Sequence, residues 1–244
     1  MPAPPDKSAA TIATMFDAIA GRYDFLNHTL SAGLDRRWRR TAVRALDLPA
    51  SPCVVDVCAG TADLALAVAA ARPRATVLGV DFAAAMLRIG RDKIANAGLG
   101  SAIRLARGDA MQLPVPDGWA DAVTVGFGIR NVAEPERALA AFARVLKPGG
   151  RLAILEFGEP TVPGIRAIYN WYFRAVLPRL GRLVSKHQSA YSYLPASVSA
   201  FPPPAEFAAT IARSGFRDVR AVPLSLGIVY LYVAATPEEP QTPV

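Results

Sequence analysis

Five apolar runs of strand length, at 53–58, 75–80, 102–107, 120–126 and 151–157, are separated by segments of helical periodicity at 62–72, 83–97 and 134–146. A chain that alternates in this way has few folds open to it. Parallel strands need long crossovers, crossovers within one sheet are right-handed, and the helices that supply them cover both faces. The pattern therefore predicts an open, doubly wound α/β sheet. Helices at 8–20 and 35–46 precede it, with Asp6 or Ser8 and then Asp35 as their starts. After Gly158 come a long mixed stretch, a helix near 204–214, and strands at 216–224 and 227–235. Those last two are joined too tightly for a crossover and should pair antiparallel. The chain thus reads as one domain: an N-terminal helical cap (1–48), a parallel sheet (49–158), a lid (159–203), a C-terminal helix and strand pair (204–236) and a disordered tail (237–244).

At 244 residues, 52% of them hydrophobic, the chain can bury the core such a sheet needs. Its formal charge of +7 points to an anionic partner: a nucleic acid, a phosphate-bearing ligand or an anionic membrane surface. Cys53 and Cys58 are expected to be reduced and buried on opposite faces of one strand, with no second pair to complete a metal site, and no metal is expected. The N-terminus lacks the apolar core of a signal peptide. The longest apolar run, 221–236, is shorter than the ~20 residues of a spanning helix. A cytoplasmic protein follows as the expectation, with peripheral contact at the inner face of the cell membrane left open.

Open parallel sheets bind ligands at the carboxyl ends of their strands, beside the reversal in strand order. There the sequence reads VVDVCAGTADLALAVAAA, a strand entering a helix through a small-residue turn. Where a nucleotide fingerprint has three glycines, this turn has Cys58, Gly60 and Ala62. Gly60 keeps the close approach, and the Ala62 methyl must fit without displacing the cofactor. Asp81 closes the second strand, where a carboxylate can accept two hydrogen bonds from a ribose diol. The N-cap of the helix 83–97 is its other reading, and one residue could do both. Asp109 ends the third strand and could reach an adenine amino group while Ala110 packs on the ring; Asp109 as a plain loop residue is the other reading. A pyrophosphate needs several backbone N–H groups around it, whereas S-adenosylmethionine has no phosphate and asks only for small residues. The turn suits the second better.

Two further segments, YDFLNHTLSAGLDRRW (23–38) and RVLKPGGRLAILEF (144–157), resemble the two signatures of the ubiquinone and menaquinone biosynthesis C-methyltransferases. GTADL, FGIRNV, LPRLGRLVSK, YSYLPASV and SLGIVYLYVAA have family counterparts in the same order, so the resemblance spans residues 15–235. It implies a class I S-adenosylmethionine-dependent methyltransferase fold: a seven-stranded, mostly parallel sheet with an antiparallel last strand and a helical lid. It also implies S-adenosylmethionine as cofactor, a prenylated hydroquinone as substrate, and a cofactor set of Thr61, Asp81, Asp109, Ala110 and the position of Gly126. The chain departs from common family residues at Leu26, Asp35, Gly126 and Gly158. Gly126 replaces a common serine and loses its hydroxyl; Asp35 stands where a histidine is common, so no catalytic role carries over to it. The signature's form favours 2-demethylmenaquinol over the ubiquinone precursor, which is the alternative.

A sulfonium methyl is already electrophilic, so the enzyme must align it with the acceptor carbon and exclude water. Deprotonating a quinol hydroxyl makes the ring carbon nucleophilic. For that work the sequence offers Tyr23 and Asp24 to hold or deprotonate the hydroxyl, Asn27 to orient it, and Arg130 with Asn131 to stabilise the oxyanion. Each has a structural reading beside it. Tyr23 could pack in the core, Asp24 cap a turn, Asn27 satisfy backbone groups, and Arg130 pair with Asp24. His28 and His187 are read as surface or structural.

The stretch 160–205 carries Arg166, Arg174, Arg179, Arg182 and Lys186 among apolar residues and no acid, which fits a lid facing anionic lipid or an ordinary cap helix. Arg36, Arg37, Arg39 and Arg40 could add to the same face. A nucleic-acid substrate is disfavoured because no Pro-Pro-Tyr motif, catalytic cysteine or RNA-binding module is present. A non-catalytic quinone or lipid carrier, which would need no cofactor pocket, is the remaining alternative, and a homo-oligomer is left open.

Overall fold

The structure, a computed structural model, describes residues 8–160, 163–171 and 188–238. Seven strands form one sheet: β1 (Cys53–Val57), β2 (Thr76–Asp81), β3 (Ile103–Arg107), β4 (Ala120–Gly126), β5 (Leu146–Phe157), β6 (Arg217–Leu224) and β7 (Val229–Ala235), in the order β3-β2-β1-β4-β5-β7-β6. The first five pair in parallel, and β7 runs antiparallel to both β5 and β6, as the pattern predicts. The order reverses between β1 and β4, so a cleft opens at their carboxyl ends.

The central strands are Val- and Ala-rich because both faces are covered. On one face Val55, Val57, Val123 and Val125 share a core with Phe142 of α5 (Pro135–Val145) and Phe207 of α8 (Pro204–Arg213). On the other, Val54 and Ala122 share one with Trp38 of α2 (Leu34–Ala45) and Val68 of α3 (Asp63–Ala71). The remaining crossover is α4 (Ala84–Asn96).

The first helix departs from expectation. Residues Ala9–Leu30 form one helix, α1, ten residues longer at its end than the 8–20 predicted. Gly21 at its middle costs about 1 kcal/mol of helix propensity, which packing of Ala20 against Ala83 and Met86, flanked by Phe16 and Tyr23, offsets. Asp24 is therefore mid-helix and caps no turn. Ser8 is at the N-cap, but its hydroxyl donates to Thr11 and not to the backbone chain. Gly33, with φ of 76°, starts α2; Asp35 is buried within its first turn.

Cys53 and Cys58 are free but half-buried, and Cys58 lies past the end of β1 in the turn, so the expected burial on one strand is not found. Within 159–203 the described helices are α6 (Pro163–Trp171) and α7 (Gln188–Ser199). Arg174, Arg179, Arg182, Lys186 and His187 lie outside the described residues, as does the tail from 239. Arg166 is exposed and pairs with Glu159 at 3.0 Å. No helix among the described residues is long and apolar enough to cross a membrane.

Candidate active site at the carboxyl edge of the sheet

The three residues that stand where a fingerprint has glycines all adopt the left-handed backbone: Cys58 at φ 55°, Gly60 at 53° and Ala62 at 67°. Chain reversal after β1 dictates that conformation, and only glycine takes it without steric cost. The two substitutions are accommodated from opposite sides. A Cβ on Gly128 would come within 2.3 Å of Cys58 Cβ, so the bare Gly128 makes room for the cysteine. Ala62 is fully buried, and its methyl faces Gly90 of α4, where an added Cβ would approach it to 3.3 Å. The expectation that this methyl must be fitted against the cofactor is thereby corrected, because it points into the α3–α4 packing.

Beneath the turn, Asp56 accepts the Thr124 hydroxyl at 2.8 Å and the Ala65 N–H at 3.1 Å. Burial pushes its carboxyl up to about 7 against those two hydrogen bonds. No periodicity or motif in the sequence singles this residue out.

Asp81 ends β2. Its two oxygens accept the N–H groups of Gly60 and Ala83, each at 2.8 Å. It does not cap α4, whose N-cap is Ala83; Asp17 of α1 supplies a tertiary cap by accepting the Ala85 N–H at 2.8 Å. Burial raises the Asp81 carboxyl, opposed by the backbone donors. Each oxygen retains a second lone pair for a hydroxyl donor.

A cavity opens over this turn. Gly60, Asp81 and Gly126 line it from the sheet, with Tyr23 and Asn131 from the cap and the β4 loop. Phe16, Phe82 and Met86 add apolar walls that sequence reading did not find. At Gly126 an added Cβ would meet Leu64 at 3.4 Å, an ordinary contact.

Other predicted site residues stand elsewhere. The Thr61 hydroxyl is turned away, donating to Asp24 at 2.5 Å. Asp109 accepts the Met111 N–H at 2.9 Å, and Ala110 is buried against the core that includes Val80 and Leu113. Asp24 is engaged by Lys93 Nζ at 2.9 Å, and Lys93 also meets Thr61 and Asp63. Lys93 was not foreseen; it joins α1, the turn and α3 through residues 30 to 69 positions apart.

Tyr23 is hydrogen-bonded to Asn27, and burial raises its phenol despite that bond and the Arg130 charge. A phenol so raised stays protonated near neutrality and acts as a hydrogen-bond donor. Arg130 does not pair with Asp24. It is buried on Glu156, at 2.7 Å, donates also to the Phe127 carbonyl and reaches Ser197 of α7 at 3.4 Å. Its neighbour Asn131 accepts the Tyr193 hydroxyl at 3.0 Å, which leaves the amide NH₂ as a donor. His28, Asp35 and Asp63 bring possible ligand atoms within 4.8 Å of one another. Arg39 pairs with both carboxylates, and Lys93 with Asp63, so the group is an ion network.

The fold is shared with S-adenosylmethionine-dependent methyltransferases: a structure of one from Aquifex aeolicus superposes with a TM-score of 0.57 at 17% identity, covering 81% of this chain and 87% of that one. Relatives are nearer. The chain is 49% identical over 218 residues, 89% of its length and 91% of the other, to the Syntrophotalea carbinolica protein named ubiquinone/menaquinone biosynthesis C-methyltransferase UbiE. It is 47% identical over 223 residues to the demethylmenaquinone methyltransferase of Thermus thermophilus, covering 91% of this chain and all of that one. Residues 5–236 match the ubiE/COQ5 methyltransferase family, and the chain belongs to it. It is a methyltransferase whose cofactor is S-adenosylmethionine.

Proposed function

We propose that the chain transfers the sulfonium methyl of S-adenosylmethionine to a ring carbon of a prenylated quinol, with 2-demethylmenaquinol as the acceptor. The observation that carries this reading is the cavity in which Gly60 and Asp81 face Tyr23 and Asn131 across a single space, in a chain of this family. Relatives named demethylmenaquinone methyltransferase occur in Thermus thermophilus and Deinococcus radiodurans, which supports the menaquinone precursor over the ubiquinone one.

In this account the Asp81 carboxylate takes the ribose hydroxyls, Gly60 and Gly126 admit the cofactor to the backbone, and the apolar walls exclude water. Thr61, Asp109 and Ala110 serve from the periphery, holding the turns that shape the pocket. Tyr23 and Asn131 hydrogen-bond the quinol oxygen. Arg130, held beneath by Glu156, lends positive potential as the oxygen gains charge. Asn27 orients Tyr23. Asp24, committed to Lys93 and Thr61, acts on the turn and not on the ring.

The acceptor lives in a membrane, so the protein works at its inner face from the cytoplasm, as a peripheral partner. Incubating purified protein with methyl-labelled S-adenosylmethionine and each reduced quinol in turn tests the choice of acceptor. Faster labelling of the benzoquinol intermediate than of 2-demethylmenaquinol would transfer the assignment to ubiquinone synthesis.

A further inference from the structure

Four large apolar side chains are exposed among the described residues: Phe25, Leu34, Val222 and Leu226. Three of them converge on one edge. Leu226 tops the β6–β7 turn, and because Phe157 of β5 pairs with Val229 of β7, that turn stands at the carboxyl edge with the cofactor cavity. Trp38 Nε1 donates to Ser225 Oγ at 2.9 Å, which brings α2 against the same turn. Leu34 lies one helical turn before Trp38. Phe25 lies one turn before His28, whose imidazole meets Asp35 at 2.7 Å and so ties α1 to the start of α2. Leu226 is 64% exposed and held at φ 62°, a conformation that disfavours a Cβ and that no burial of its side chain offsets.

Charge completes the pattern. Arg36, Arg40 and Arg44 follow one another at helical spacing along α2, all exposed, and Arg37 stands beside them. None of the four has an ion-pair partner among the described residues. The one acid of α2, Asp35, is buried and neutralised by Arg39. Exposed apolar tips within an uncompensated cationic field match an anionic lipid surface: the tips enter the headgroup boundary and the guanidinium groups meet phosphate.

We propose that this edge, formed by Phe25, Leu34 and Leu226 and flanked by the arginines that run from it along α2, docks on an anionic phospholipid bilayer. The inference rests on the lipid-borne acceptor proposed above, and would place the cavity edge toward the membrane that holds it.

Flotation of the full chain with vesicles of phosphatidylcholine alone or mixed with phosphatidylglycerol tests it. Binding is expected only with phosphatidylglycerol, weakening as salt rises. Arg36→Gln, Arg40→Gln and Arg44→Gln should each weaken it about fivefold, and Phe25→Ser with Leu226→Gly should abolish it. A chain that stays in solution with anionic vesicles, or variants that float like the parent, would overturn the proposal. So would sedimentation showing that Phe25→Ser converts a dimer to a monomer, which would assign the face to a second copy. Turnover of a short-tailed, water-soluble quinol without vesicles separates the two readings: it should be unchanged in these variants, and its absence in the parent would count against the acceptor, not the docking face.

Discussion

Asp81 accepts the backbone N–H of Gly60 at 2.8 Å, so the last residue of β2 fixes the turn that follows β1. One carboxylate thus holds the turn and lines the cavity above it. Removing it in Asp81→Ala loses both functions. Hydrogen bonds to a charged group contribute about 1.5–3 kcal/mol, so S-adenosylmethionine affinity should fall about tenfold to a hundredfold by calorimetry. An unchanged affinity would remove Asp81 from the cofactor site.

The fit of Cys58 against Gly128 is reciprocal. Gly128→Ala should destabilise the fold by about 1–3 kcal/mol through overpacking, since its methyl would sit 2.3 Å from Cys58 Cβ. Cys58→Gly in the same chain should restore most of the loss, because it removes the clash and returns a left-handed position to glycine. Denaturant melts of the two single variants and the double variant give the coupling. Additive losses would show that the two residues do not compete for space.

Asp56 makes stability depend on pH. The folded chain holds its proton up to about pH 7, while an unfolded aspartate ionises at about 3.9. Between those values the folded state binds more protons, so this group's contribution falls as pH rises and levels off above the upper value. Asp56→Asn cannot ionise and can still accept from Ala65. Its melting temperature should therefore gain on the parent between pH 4 and 7, by the equivalent of a few kcal/mol at most. A constant difference across that window would contradict the buried, protonated carboxyl.

Tyr193 acts on the site from α7 through Asn131. Tyr193→Phe removes one neutral hydrogen bond, about 1 kcal/mol, and should lower kcat roughly fivefold while leaving cofactor affinity intact. A loss confined to cofactor binding would mean that Asn131 serves the donor and not the acceptor.

Local signals in the sequence carried the sheet well. Val54 on one face of β1 and Val55 and Val57 on the other, like Ala122 against Val123 and Val125 of β4, are apolar because both faces of the sheet are covered, and Gly60 and Asp81 stand near strand ends that the pattern itself locates. What sequence reading missed joins distant positions. Glu156 lies 26 residues from its partner Arg130, and Lys93 lies 69 from Asp24; no helical or strand period records such pairs. The helix read at 8–20 runs through Gly21 to Leu30, where tertiary packing on Ala83 and Met86 holds it. Thr61, which the family resemblance assigns to the cofactor set, donates its hydroxyl to Asp24, 37 residues away.

The central claim is methyl transfer to a reduced ring. Purified protein given methyl-labelled S-adenosylmethionine with 2-demethylmenaquinol, and in parallel with the oxidised quinone, tests it most directly. Label should enter the organic extract only with the quinol, since the quinone has no hydroxyl whose deprotonation can activate the carbon. Equal labelling of both forms, or of neither, would contradict the account.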